Sequence, residues 1–134
     1  MKISSKGRYA VRTMVELARV QDGYRSVAEI AQSQEISVKY LEKIIGLLVK
    51  NKLIVSARGS EGGYKLAKSA GQISVADVLR ATNDLPELAP CLGAGQSCPR
   101  QNCCDSNGCW SKLNELIVNY LASVSLKNLL DKTF

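Results

Sequence analysis

The sequence predicts a mainly α-helical chain carrying one small β-hairpin. Three observations lead there. Apolar residues recur at three- and four-residue spacings in several separate stretches, two serine capping boxes open short helical runs, and one pair of strand-like runs flanks a glycine-rich turn.

The first helix is expected from about Ser5 to Val20, where Ala10, Val11, Met14, Val15, Leu17 and Ala18 share one face. Asp22-Gly23 breaks it. Ser26-Val-Ala-Glu29 is a capping box, in which the serine hydroxyl caps the N3 amide and the glutamate reaches back to the serine amide. It opens a short helix through about Gln34. Glu35-Ile-Ser37 forms a tight turn, with Ser37 placed to cap a third helix from Val38 to about Asn51. On that helix Val38, Leu41, Ile45 and Leu48 form the expected buried stripe, while Lys39, Lys43, Gly46 and Lys50 form a small or basic face. A short helix, a tight turn and a second helix with a basic outer face describe a helix-turn-helix. An amphipathic surface helix with solvated lysines would give the same pattern, so the next segment matters.

Leu53-Ile-Val-Ser-Ala57 and Gly63-Tyr-Lys-Leu-Ala67 are strand-like, and Arg58-Gly-Ser-Glu-Gly62 between them suits a hairpin. A hairpin directly after such a helix is a wing, and Arg58 at its shoulder can reach a phosphate or enter a minor groove. The same glycines lack the Gly-Lys-Ser/Thr ending of a phosphate-binding P-loop. Ser74-Val-Ala-Asp77 is a second capping box, opening a helix to about Thr82. Asn83 to Gly108 reads as a polar loop. From Trp110, residues Leu113, Ile117, Tyr120 or Leu121, and Val124 recur at three and four residues. Such a narrow seam is either core or a dimer contact, and a two-fold dimer is preferred because dimeric readers match paired half-sites on DNA. Ser125 should cap a last short helix, Leu126 to Lys132. The expected fold is thus a winged helix-turn-helix (residues 1–82), a cysteine-rich loop (83–108), and a long C-terminal dimerisation helix with a final short helix (109–134).

Composition narrows the function. The 134 residues, 46% hydrophobic, suffice for one ordinary domain, and the net charge is +6. Residues 1–68 hold 13 Lys and Arg against 6 Asp and Glu, a net of +7, whereas residues 69–134 carry a net of −1. A basic half beside a neutral one is expected when one part faces a polyanion. No apolar run approaches the roughly 20 residues that span a bilayer. Met1-Lys-Ile-Ser-Ser-Lys6 lacks the apolar stretch of a signal peptide, so a soluble, cytoplasmic protein is expected.

All five cysteines, Cys91, Cys98, Cys103, Cys104 and Cys109, lie in one stretch embedded in Gly, Pro, Asn, Asp and Ser, and the chain has no histidine. Thiolates grouped on a loop suit a soft metal or an iron–sulfur cluster. Without an imidazole base, Ser-His and Cys-His nucleophilic pairs are excluded, and no enzyme is expected. Few apolar neighbours argue against buried structural cysteines, and an odd count argues against a disulfide framework. Zinc sites usually show close pairs such as Cys-x2-Cys, but the gaps here are six, four, zero and four residues. An iron–sulfur cluster is therefore favoured over redox-active thiols and structural zinc.

The strings Ser5-Lys-Gly-Arg-Tyr-Ala10, Ile36-Ser-Val-Lys-Tyr-Leu-Glu42 and Arg58-Gly-Ser-Glu-Gly-Gly-Tyr64, with the cysteine loop followed by Trp110, resemble the Rrf family of winged-helix transcription regulators. The resemblance covers essentially the whole chain and is nearest the IscR-like subgroup, beside the NsrR-like and CymR-like ones. It implies a homodimer on a double-stranded DNA operator, with the third helix in the major groove and the wing at the minor groove. By motif position it places DNA contacts at Ser37, Lys39, Tyr40 and Lys43 and on the wing at Arg58, Gly59 and Ser60. It also implies three cysteine ligands, matched by the gaps of six and five residues in Cys91, Cys98 and Cys104. The IscR-like histidine three places after the third cysteine is here Asn107, a poor iron ligand. Cys109 is then the preferred fourth ligand, since a helix start favours thiolate; Cys103 or a non-cysteine group is the alternative. The NsrR-like arrangement takes an acidic ligand from the partner's first helix, and Arg8 at that position gives it no support. The implied cofactor is an iron–sulfur cluster, [2Fe-2S] ahead of [4Fe-4S], reporting iron–sulfur status, oxidants or nitric oxide to the DNA-binding unit. A metal-free thiol regulator of transcription is the first alternative, and an iron–sulfur electron-transfer protein the second.

Overall fold

The computed structural model describes residues 1–93, 95 and 97–134. Ala94 and Gln96, within the predicted cysteine loop, lie outside the described residues. Six α-helices and one hairpin follow in the order α1 (Ser5–Arg19), α2 (Val27–Gln34), α3 (Val38–Lys50), β1 (Ile54–Ala57), β2 (Gly63–Leu66), α4 (Val75–Ala81), α5 (Asn107–Ser123) and α6 (Leu126–Asp131). Single 3-10 turns lie at Ala70–Gln72, Pro90–Leu92 and Gln101–Cys103.

Serine hydroxyls start five of the six α-helices. Ser4, Ser26, Ser37, Ser74 and Ser125 each accept a hydrogen bond from the N3 amide of the helix that follows. This satisfies amides that no intrahelical carbonyl can reach. Both predicted capping boxes form: the Ser26 amide donates to Glu29 Oε2 at 2.7 Å and the Ser74 amide to Asp77 Oδ2 at 2.9 Å. A third box, Ser125 with Asn128, opens α6.

The main core joins Ala10, Met14 and Leu17 of α1, Ile30 of α2, and Leu41, Ile44, Ile45 and Leu48 of α3, with Leu53, Ile54, Ile73 and Val78 behind them. Leu126 of α6 is fully buried in this same core, because α6 returns from beyond the cysteine loop to pack on α1. Two backbone bonds stitch that return: Val75 N to Val124 O at 2.8 Å and Leu126 N to Ile73 O at 2.9 Å.

One residue of the predicted α3 stripe is misplaced. Val38 is 46% exposed, and Ile44 occupies the buried position instead. Val38 is the first residue of the helix and lies beyond the edge of the core, whereas positions 41, 44, 45 and 48 face α1 and α2.

The hairpin pairs Ile54 with Leu66 through Ala57 with Gly63. It gains an extra bridge: Arg25 N donates to Tyr64 O at 2.9 Å, and Tyr64 N to Arg25 O at 2.8 Å. Gly63, at φ +142°, lies so close to the Arg25 carbonyl that any Cβ would overlap it. The Arg25 guanidinium meanwhile holds buried Glu16 of α1 at 2.9 Å. The wing is therefore tied through one residue to the first helix.

A candidate nucleic-acid interface and cysteine loop

Ser37 at the N-cap of α3 and Lys39 and Lys43 on it are exposed, and Arg58, Gly59 and Ser60 are exposed on the turn of the wing. The Ser37 oxygen accepts from the Tyr40 amide at 3.2 Å, which leaves its hydroxyl hydrogen free to donate outward. Tyr40 differs from these. It is half-buried, with its ring edge-on to Tyr9 at 5.9 Å, and the Arg12 guanidinium lies 5.4 Å from the Tyr9 ring centre. Tyr40 thus joins α3 to α1 as well as bordering the basic face. Lys50 and Gly46 complete that face, with Glu42 the one carboxylate on the exposed part of α3. The arrangement presents cations from two elements, a helix and a hairpin, as a double helix with a major and a minor groove requires.

Four of the cysteines lie between α4 and α5, and Cys109 lies in the first turn of α5. Cys91 lies in the Pro90–Leu92 turn and Cys103 ends the Gln101–Cys103 turn. Cys91, Cys98 and Cys104 are half-buried, Cys103 and Cys109 exposed, and none is in a disulfide. Cys91 and Cys98 line one shallow depression of about 310 Å³ together with Pro90 and Ser97. Among the described residues, no three His, Cys, Asp or Glu side chains stand together as a ready-made metal site.

Helix α5 opens at Asn107, two residues earlier than predicted, so Cys109 is its third residue. Ser106 at its N-cap makes no capping bond. Its hydroxyl lies 3.4 Å from the Cys104 sulfur. That hydroxyl, followed by the Ser106 and Asn107 amides, holds the Cys104 thiol below the usual cysteine range despite slight desolvation. Asn107 Oδ1, at the position of the IscR-like histidine, is buried and has no hydrogen-bond partner among the described residues. Soft thiols free of disulfides, one of them made more acidic by its hydrogen bonds, fit an iron–sulfur cluster in donor chemistry.

The root of this loop is anchored on α1. Asp84 Oδ2 accepts from the Ser4 amide at 2.8 Å, and Gly7 leaves the space that the Asp84 carboxylate fills. Further along, the Leu88 amide donates to Asn114 Oδ1 of α5 at 3.0 Å.

Helix α5 buries none of its residues. Trp110, Leu113, Leu116 and Tyr120 are between 42% and 55% exposed, while Leu121 turns inward onto a small cluster of Val75, Leu79 and Val124. The predicted seam therefore divides. Its N-terminal part is an open apolar face that also includes Leu116, which the heptad spacing omits; its end belongs to the core. No helix among the described residues is long and apolar enough to cross a membrane.

Sequence reasoning missed Val38, the Asp84–Gly7 contact and the Glu16–Arg25 pair. Only the first had a local signal, since a first helical position need not share the face of the helix body.

The family profile described as Rrf2, iron-dependent transcriptional regulator, matches residues 3–132. The HTH-type transcriptional regulator IscR of Xenorhabdus nematophila is 39% identical over 130 residues, covering 96% of this chain and 79% of that protein. IscR of Photorhabdus laumondii is 38% identical, covering 98% and 80%. Among solved structures, CymR, the global cysteine regulator of B. subtilis, superposes with a TM-score of 0.79 at 29% identity, over 100% of this chain and 99% of that one. IscR of T. potens gives 0.77 at 32%, over 100% and 89%. With its winged helix-turn-helix and a profile match over nearly every residue, the chain belongs to the Rrf2 family of transcriptional regulators.

Proposed function

We propose that the chain acts as a cytoplasmic homodimer that binds operator DNA through α3 and the wing, and that its cysteine loop holds an iron–sulfur cluster. The observation that carries this reading is the placement of four thiols between α4 and α5, with the fifth, Cys109, in the first turn of α5, in a chain without histidine. Cys91, Cys98 and Cys104, with gaps of six and five residues, are the proposed ligands, Cys109 at the start of α5 is the fourth in place of a histidine, and [2Fe-2S] is the proposed cluster. Such a cluster supplies sensitivity to iron–sulfur supply, oxidants and nitric oxide.

The chain's own residues offer a route from loop to DNA. Asp84 ties the loop to Ser4 and Gly7 of α1, and α1 meets α3 at the Tyr9–Tyr40 ring contact. Ligation orders the loop, and any preference of the ordered loop for one setting of α1 shifts the population of α3 settings by the same free energy. The open apolar face of α5 supports the dimer, since four large side chains at this exposure suit a second copy of the same helix.

A thiol-based regulator without metal is the second reading, favoured by the absence of any gathered ligand trio among the described residues. Iron and sulfide analysis with visible absorbance, on anaerobically purified protein and Cys→Ala variants, separates the two. Loss of the cluster is expected at Cys91, Cys98 and Cys104. Full occupancy in Cys98→Ala or Cys104→Ala would overturn the assignment, and a colourless, iron-free wild type would favour the thiol reading.

A further inference from the structure

We propose that Val38 reads a base, packing its isopropyl group on the 5-methyl group of a thymine in the major groove. The proposal rests on DNA binding through α3 and goes beyond it by naming an apolar specificity contact.

Val38 is 46% exposed, whereas Leu41, Ile44, Ile45 and Leu48 of the same helix are buried in the core and Tyr40 packs against it. Scattered surface valines are ordinary, but the location of this one is not arbitrary. It is the first residue after the Ser37 cap, and residues at the N-terminal end of the second helix of a helix-turn-helix meet base edges. Val49, the other exposed valine of α3 at 39%, sits at the opposite end. Ser37 and Lys39, both exposed, flank Val38 with polar groups suited to phosphate or base acceptors. Among major-groove edges the thymine methyl is the one apolar feature. A β-branched side chain in a helix is held close to a single χ1 rotamer. Val38 therefore presents its methyl groups at a fixed position and loses little rotamer freedom on contact. Its own helix gains nothing from valine there, because alanine is the better helix former.

The test uses the full chain and a duplex enriched by the wild-type protein from random sequence. Each thymine in turn is replaced, in both half-sites, by uracil, which removes only the methyl group. Wild-type affinity is expected to fall about fourfold per half-site at one position, the equivalent of ~0.8 kcal/mol for one buried carbon. Val38→Ala should not respond to that same replacement, and it should melt at or above the wild-type temperature. Equal losses for both proteins at every position, or no loss anywhere, would overturn the thymine contact while leaving DNA binding intact. Failure of the wild type to enrich any duplex would overturn the contact and the DNA-binding reading together.

Discussion

A methyl group at position 7 would collide with the Asp84 carboxylate, whereas one at position 46 would meet nothing within 4 Å. Both glycines lie inside helices, where replacement by alanine ordinarily stabilises by about 0.5–1 kcal/mol. Opposite signs are therefore expected. Gly46→Ala should raise the melting temperature, by about 4 °C for 1 kcal/mol in a domain of this class, and Gly7→Ala should lower it. Thermal unfolding of the two variants checks the Asp84–α1 junction without any reference to DNA. At the wing, Arg58 is exposed and makes no ion pair within the described residues. Arg58→Ala should weaken DNA binding and leave thermal stability unchanged. Among the cysteines, a double Cys103/Cys109 variant should retain less iron than either single one if one thiol substitutes for the other as fourth ligand. Unchanged iron in the double variant would point instead to a non-cysteine group.

The helices carry their own predictions. Glu29 and Asp77 close capping boxes, and both carboxyls are held below their ordinary range. For Glu29 the Ser26 amide and hydroxyl lead. For Asp77 partial burial is the largest influence and raises it, but the Ser74 amide and hydroxyl, with Arg80 and Lys68, outweigh it. A depressed carboxyl pKa stabilises the fold above the ordinary carboxylate value, and that contribution is lost as pH falls through the depressed one. Stability should thus decline below about pH 4, and Asp77→Asn should flatten that decline in acid-unfolding curves. In α5, glutamate at Leu113 or Leu116 should give monomers by sedimentation and abolish tight operator binding; a wild-type monomer at micromolar concentration would remove the premise. Helices α2 and α4 were legible because their starts are local: a serine and a carboxylate three residues apart announce a cap wherever they stand. The hairpin was legible for the same reason, in the glycines between Ala57 and Gly63. Spacing alone could not find the edges of packing. It assigned Val38 to the core and left Leu116 out of the open face, because period shows which residues share a face and not where the neighbouring element ends.

Across the whole molecule, the contacts that join distant parts of the chain had no sequence signal. Asp84 reaches Ser4 and Gly7, Arg25 bridges Tyr64 and Glu16, and Leu126 returns to the core of α1 and α3. The cysteines show the same limit: their number and gaps are read directly from the chain, but that Cys91 and Cys98 line one depression is visible only in the fold. The charge asymmetry is a molecular property too. With the positive excess confined to residues 1–68, operator affinity should fall with salt at a log–log slope of about −0.9 per neutralised phosphate, and Lys43→Ala should reduce that slope by about one contact. In the proposed coupling, the state of the cysteine loop sets DNA affinity. An anaerobic titration of labelled operator with cluster-loaded protein and with the same protein stripped of iron tests it most directly. Two affinities separated by about 5- to 150-fold are expected, the usual span of coupling between linked sites, and identical affinities for the two forms would show that the loop and the DNA-binding surface are not coupled.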